Sequence, residues 1–303
     1  MIEENQYHTT VLLRESVEAL HPKVGGVYVD ATFGGGGHTK LLLQQLDATA
    51  QVFAFDQDQD AAENLPKNET RLTFLNQNFR VLKKMLRYEG VRKVDGILAD
   101  LGVSSHQLDQ AERGFSYRFE ATLDMRMNQS EGRTAADLLN KYSVEELQRI
   151  LSEFGEVRNA RTLAQTIVQT RGGKPYRNIS DLLQTLHQVA IGDKIRYQSQ
   201  VFQALRMEVN DEIGALKDFL QQSLEMLDTG GRLAVITFHS IEDRLVKNFM
   251  KAGNFEGEAE KDFYGNISRP FKILTKKPIE PSNEELKKNS RSRSSKLRIA
   301  EKL

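Results

Sequence analysis

Three aspartates, Asp30, Asp56 and Asp100, each stand at the end of a short apolar run, in "GVYVDA", "QVFAFD" and "DGILADL". A carboxylate at the tip of a buried strand can accept hydrogen bonds from hydroxyl or amino groups, and it can offset a positive charge on a bound molecule. Between the first two lies "VDATFGGGGHT", residues 29 to 39, with four consecutive glycines ahead of His38 and Thr39. Each glycine costs roughly 0.5 to 1 kcal/mol relative to alanine in a regular element. A run of four therefore implies that something comes close to the backbone. The flanks "GVYV" and "HTKLLLQQL" read as a buried strand and an amphipathic helix, which makes the glycines a strand-to-helix turn and not a linker. Such a turn opens the crevice of a parallel sheet, where backbone N–H groups can meet a ligand.

The dinucleotide fingerprint G-x-G-x-x-G is met only in its first part by "GGGGHT". Asp30 would repel a pyrophosphate and welcome a cationic ligand, such as the sulfonium and amino group of S-adenosylmethionine. Asp56, 22 residues after Gly34, can accept from both hydroxyls of a ribose, although Asp56, Asp58 and Asp60 also suit a helix N-cap. Phe79, just past the third strand, can lie against an adenine or join the core. After Asp100, the small residues Gly102, Ser104 and Ser105 leave room for a planar group beside the cofactor.

Those residues must be positioned by a fold, and the pattern of the chain supplies one. Strands are expected at 26–31, 51–56, 72–77, 95–101 and 231–238, with helices at 37–46, 59–65 and 79–88 between them. Alternating strands and helices imply a parallel, doubly wound α/β sheet. The alternation stops over 108–210. There "SVEELQRILSEFG" places Ser143 and Glu146 as a capping box and Val144, Leu147, Ile150, Leu151 and Phe154 on one helix face. "NARTLAQTIVQTRGG" and "ISDLLQTLHQVAIG" follow as further helices, each closed by glycine. Two late apolar stretches, "PFKILTKK" and "SSKLRIAEKL", suit a strand pair.

Composition narrows the chemistry. The 303 residues are 39% hydrophobic and 28% charged, as in an ordinary globular protein, and include no cysteine. Disulfides, thiolate metal sites and a cysteine nucleophile are thereby excluded. The six histidines show no ligand spacing, so no metal is expected. No apolar run approaches the ~20 residues of a membrane span, and the N-terminus lacks a signal-peptide pattern, so a cytoplasmic protein without a membrane partner is expected. Net charge is zero, yet residues 270–303 hold 10 basic against 4 acidic side chains. Such a tail suits either a solvated loop or a phosphate backbone.

Eight segments, "HTTVLL", "DATFGGGGHT", "DLGVSSHQLD", "ERGFSYR", "LDMRM", "FQALRMEVN", "FHSIEDR" and "RSRSSKLRIAE", occur in order along nearly the whole chain. Together they resemble the bacterial small-subunit ribosomal RNA methyltransferase H family, also called MraW, the cytosine-N4 methyltransferases. The resemblance implies a class I, Rossmann-like fold, mostly parallel with a C-terminal antiparallel strand. It also implies S-adenosylmethionine as cofactor and methylation of the exocyclic N4 of a cytosine in the decoding region of 16S rRNA within the small subunit. The cofactor-binding domain would comprise 1–107 and 211–303, with 108–210 an inserted helical domain that recognises substrate. Cofactor contacts carry over to Gly36, Gly37, His38, Asp56, Phe79, Asp100 and Gln107. Gly35 stands where some relatives have a larger residue, and residues 254–290 are less recognisable. A homodimer is a candidate assembly.

Methylation of an exocyclic nitrogen needs no covalent adduct with the base, which agrees with a chain lacking cysteine. It needs the amine held in line with the methyl group, and Asp100 is the expected acceptor. His239, Ser240 and Arg244 in "FHSIEDR" could contact the base or a phosphate, although His239 could equally cap a helix. Asn210 could match the pairing edge of cytosine. Arg113 and Arg118 flank Phe115 and Tyr117, a combination suited to an extruded base or to sealing the insertion. Two rival classes share some of these features. An NAD-dependent oxidoreductase would need the complete fingerprint, and a non-catalytic RNA-binding assembly factor would leave the acidic crevice unexplained.

Overall fold

The computed structural model describes residues 10–258 and 269–303. The first two residues of "HTTVLL" and part of the 254–290 stretch lie outside them. Two compact units are present, one built from residues 1–102 and 214–303, the other from 103–213.

The first unit holds a seven-stranded sheet made of β1 (Val27–Asp30), β2 (Gln51–Phe55), β3 (Leu72–Leu75), β4 (Val94–Asp100), β5 (Leu227–Thr237), β6 (Phe271–Ile273) and β7 (Lys296–Lys302). Their order is β3-β2-β1-β4-β5-β7-β6. β1 to β5 run parallel, and β7 runs antiparallel to both β5 and β6. The strands are nearly continuous apolar runs because both faces are covered. Val29, Phe53, Ile97 and Leu233 feed the core on one face, while Tyr28, Val52, Leu98 and Ala234 feed the core on the other. Strand order reverses between β1 and β4, so the crevice opens at their carboxyl ends. There Asp30 pairs in register with Leu98 and Asp100 with Ile236.

All five strands expected before the C-terminal region form, and the late apolar stretches do pair as β6 and β7. The helix expected at 59–65 is instead a 3-10 helix, Gln59–Asn64, with Asp58 as its N-cap. Pro66 follows closely, and Leu65 ahead of it has ψ 135°, outside the helical region, as a residue preceding proline prefers. Phe79–Val81 is likewise 3-10 before an α-helix at Leu82–Tyr88.

The second unit is helical. Helices Ala135–Lys141, Val144–Glu153, Ala160–Arg171, Ile179–Val189 and Lys194–Val209 surround a core that includes Leu147, Ile150, Leu151, Leu163, Leu186 and Leu205. Ser143 and Glu146 form the expected capping box, and Val144 and Phe154 pack partly buried on that core. Among the described residues no helix is long and apolar enough to cross a membrane.

One glycine in this unit is fixed by backbone crowding. Gly114, within "ERGFSYR", has φ +72°, and a Cβ there would stand 2.3 Å from the Thr122 carbonyl oxygen. Gly114→Ala is therefore expected to destabilise the helical unit by on the order of 2 to 4 kcal/mol through left-handed strain and a clash that no side chain can relieve. A lowered urea midpoint checks this, and an unchanged midpoint would rule out so close an approach.

Candidate active site

The glycine turn is held by a short chain of hydrogen bonds that starts at Asp30. This carboxylate is buried, accepting from the Thr32 amide through Oδ1 at 3.1 Å and from the Thr39 hydroxyl through Oδ2 at 2.6 Å. Thr32 Oγ1 in turn accepts from the Asp100 amide at 2.6 Å. β1, the turn, the following helix Gly37–Gln45 and β4 are thus tied at one point. Three of the glycines answer to this geometry. Gly34 has φ +50°, Gly36 has φ +72° with the Phe33 ring 2.8 Å from a built Cβ, and at Gly37 a Cβ would sit 1.9 Å from Thr10 Oγ1. At Gly35 nothing among the described residues lies within 4 Å of a built Cβ, so the backbone is open there to an approaching group.

Asp56 stands one residue beyond β2. Its Oδ2 accepts from the Gly34 amide at 2.8 Å and its Oδ1 from the Asp58 amide at 2.9 Å. Asp58, not Asp56, caps the next helix. Burial pushes the Asp56 carboxyl up to about 6 against the opposing pull of those two N–H groups, with the charges of Asp58 and Asp30 adding to the rise. Each carboxylate oxygen can accept a further bond.

Asp100 closes β4 with its Oδ1 buried and without a hydrogen-bond partner among the described residues. Burial lifts its carboxyl well above the usual range, and Asp30, Glu242 and Glu285 raise it further. Glu242 accepts from the Phe238 amide at 2.9 Å, and Glu285 from the Leu12 amide at 2.9 Å. Sequence reasoning passed over both glutamates. Glu242 lies inside a quoted motif, whereas Ser282 and Glu285 carry a capping-box spacing, and the glutamate side chain turns to a distant amide instead. A buried acid without a partner, among other acids, is the kind of costly arrangement found at functional sites.

The other expected residues of the first unit fall into three groups. His38 is buried with Nε2 3.1 Å from the Val11 carbonyl, and burial holds its imidazole below the usual range, so only its backbone amide remains for the turn. Phe79 is half-buried and meets Phe219 edge to face at 5.2 Å. His239 caps the helix Ser240–Ala252 with Nδ1 3.4 Å from the Glu242 amide, while Ser240 and Arg244 are exposed.

Gln107, Arg113 and Asn210 belong to the helical unit. Gln107 is buried and completes a capping box with Ser104. Arg113 is buried too, donating to the Arg126 and Met127 carbonyls at 3.2 and 2.9 Å, a place inside the unit and not on a substrate face. Asn210 spends its amide on the backbone, accepting from the Met127 amide and donating to the Met125 and Arg206 carbonyls. These contacts engage Arg113 and Asn210 with the backbone of their own unit. Buried polar groups are satisfied locally first.

A sheet in this order, with its antiparallel strand slotted between β5 and β6 and an acid-lined crevice at the β1/β4 switch, defines a class I methyltransferase that uses S-adenosylmethionine. The chain belongs to the MraW methylase family, whose profile matches residues 5–303. It is 54% identical over 297 residues to the ribosomal RNA small subunit methyltransferase H of Phocaeicola vulgatus, covering 98% of this chain and 97% of that one. It is 53% identical over 298 residues to the protein of the same name from Cytophaga hutchinsonii, covering 98% and 99%. A solved structure of a methyltransferase from Streptococcus mutans, in complex with SAH, matches with TM-score 0.44 at 14% identity, covering 97% and 99%. Family membership displaces the oxidoreductase reading.

The state of Asp100 has a measurable consequence for stability. An acid whose pKa is raised by folding weakens the folded state, fully so above its raised value and not at all below its ordinary value near 4. Asp100→Asn should therefore stabilise the ligand-free protein at pH 7.5 by on the order of 1 to 3 kcal/mol, the cost of a buried unpartnered group. The gain should shrink as the pH falls toward 4.5. Melting curves at the two pH values test it, and a variant less stable than wild type at pH 7.5 would show that Asp100 is structurally supported.

Proposed function

We propose that this protein is a ribosomal RNA methyltransferase acting in the cytoplasm on a cytosine in the decoding region of 16S rRNA, within the small subunit, and that it transfers the methyl group to N4. The observation that carries the reading is the unpartnered, buried Oδ1 of Asp100 beside the glycine turn. The names of its relatives support the RNA class.

The residues present fit the cofactor. Asp56, at the tip of β2, has accepting capacity left for ribose hydroxyls. The backbone at Gly35, with the amides of Gly37 and His38, would give the turn a face for the amino-acid end, the Gly36 amide being held by the Phe33 carbonyl, and Asp30 and Asp100 would complement the cofactor's positive charge. The half-buried face of Phe79 would wall the adenine, and Gln107 is a further candidate contact for the cofactor. S-adenosylmethionine, when bound, supplies an electrophilic methyl group. Its positive charge would draw the Asp100 carboxyl back toward the ionised form.

Asp100 would then accept an N–H of the cytosine amine. That bond turns the nitrogen lone pair toward the methyl carbon, and the carboxylate can take up the proton which the methylated nitrogen must release. The helical unit would recognise the RNA. Ser240 and Arg244, exposed in the first turns of the helix Ser240–Ala252, would meet a flanking nucleotide.

Mass-spectrometric mapping of 16S rRNA from cells lacking the protein should show an unmethylated cytosine N4 that the wild-type gene restores. Restoration of a different modification, or of none, would end the N4 reading. Asp56→Ala should weaken S-adenosylmethionine binding by about 1.5 to 3 kcal/mol in calorimetric titration. For the wild type, the ionised Asp56 is the binding form, so affinity should fall by about tenfold per unit as the pH drops below ~6. Unaltered affinity on both counts would leave Asp56 a structural residue of the turn.

At saturating cofactor and RNA, Asp100→Asn should slow single-turnover methylation by ~10² to 10³, the effect of removing one electrostatic catalytic group. A near-wild-type rate would remove Asp100 from the chemical step.

A further inference from the structure

Far along the sheet from the crevice, the helix Ser240–Ala252 and the β6–β7 edge enclose a cavity of about 320 Å³. Four cations, Lys247, Lys251, Lys276 and Arg298, line it together with Met250 and Ile273, and among the described residues no acidic side chain does. Arg298 is balanced from behind by Asp243, with Nε at 2.6 Å and Nη2 at 3.0 Å from its two oxygens. The excess charge therefore comes from three exposed lysines gathered around one space. Their mutual repulsion is relieved by an anion and by nothing else in the wall.

The apolar part of the lining is also unusual. Ile273 lies on the edge strand next to Lys272 and is 38% exposed, whereas Met250 is buried. An anion alone would not need them. A flat apolar body attached to the anion would, and ~300 Å³ is at the small end of ligand pockets, enough for one nucleotide.

The helix relates this cavity to the crevice. Glu242, whose charge bears on Asp100, is in its first turn, and Lys247 and Lys251 follow roughly 8 to 14 Å farther along the axis at 1.5 Å per residue. A polynucleotide with one base at Asp100 could pass from one to the other. The local excess of positive charge over residues 270–303 favours such a polyanion over a free metabolite.

We propose that this cavity is a second contact for substrate RNA, holding a backbone phosphate among Lys247, Lys251 and Lys276 and its nucleoside against Met250 and Ile273. The proposal rests on the reading of the protein as a ribosomal RNA methyltransferase. It assigns affinity, not chemistry, to the site.

The test uses the full chain with the doubly substituted variant Lys247→Gln, Lys276→Gln, both exposed positions whose loss should leave the fold intact by circular dichroism. Small subunits lacking the modification serve as substrate. The KM for RNA should rise about tenfold with kcat at saturation unchanged, calorimetric affinity for S-adenosylmethionine should be unaltered, and the slope of log affinity for RNA against log salt should fall by about 1 to 2. Ile273→Glu, which puts a carboxylate at the cavity wall, should raise KM in the same way. An unchanged KM and salt slope in both variants would overturn the proposal while leaving the methyltransferase reading intact. Cytidine 5′-monophosphate binding that the double variant abolishes, with an unchanged KM for RNA, would overturn it in favour of a small-nucleotide site. If the wild type methylates no ribosomal RNA at all, the substrate reading fails first and the proposal with it.

Discussion

The rest of the site hangs on the buried carboxylate of Asp30. With one oxygen on the Thr32 amide and the other on the Thr39 hydroxyl, it fixes both ends of the glycine turn. Thr32 passes the constraint to β4 through the Asp100 amide. The strand order places β1 and β4 side by side where the chain reverses direction across the sheet. A buried carboxylate can therefore govern the distance between the turn and Asp100. Charge-assisted hydrogen bonds of this kind are short and strong enough to hold such a junction.

The same junction concentrates negative charge. Asp30, Asp100, Glu242 and Glu285 all act on one buried volume, and Asp56 is raised to about 6 nearby. Among the described residues no partner bonds to Asp100 Oδ1. Folding must bear that cost, and a cationic ligand removes part of it on binding. Affinity for the cofactor and strain in the free protein are in this sense one quantity seen from two sides.

The sequence showed the sheet because its strands are buried on both faces and read as apolar runs punctuated by Asp and Gly. It showed the crevice because Asp30, Asp56 and Asp100 mark the strand tips. The 3-10 character of Gln59–Asn64 was not legible in a helical composition, being set by Pro66 and by Asp58 as cap. The engagement of Arg113 and Asn210 with backbone carbonyls and amides was hidden as well, since such partners carry no residue type to read. Glu285 was invisible for a related reason. Its partner, the Leu12 amide, lies 273 positions away in the chain.

Gly35 and Gly37 look interchangeable in the run of four, yet their surroundings differ completely. Open space beside Gly35 places no demand on any other position, so natural variants can enlarge it alone. Gly37 faces Thr10 Oγ1 at a distance no side chain could share. Among related chains, then, positions 10 and 37 should drift together, the one shrinking wherever the other grows. Thr10 is in this way bound into the evolutionary history of the turn, though 27 positions separate it from Gly37 along the chain.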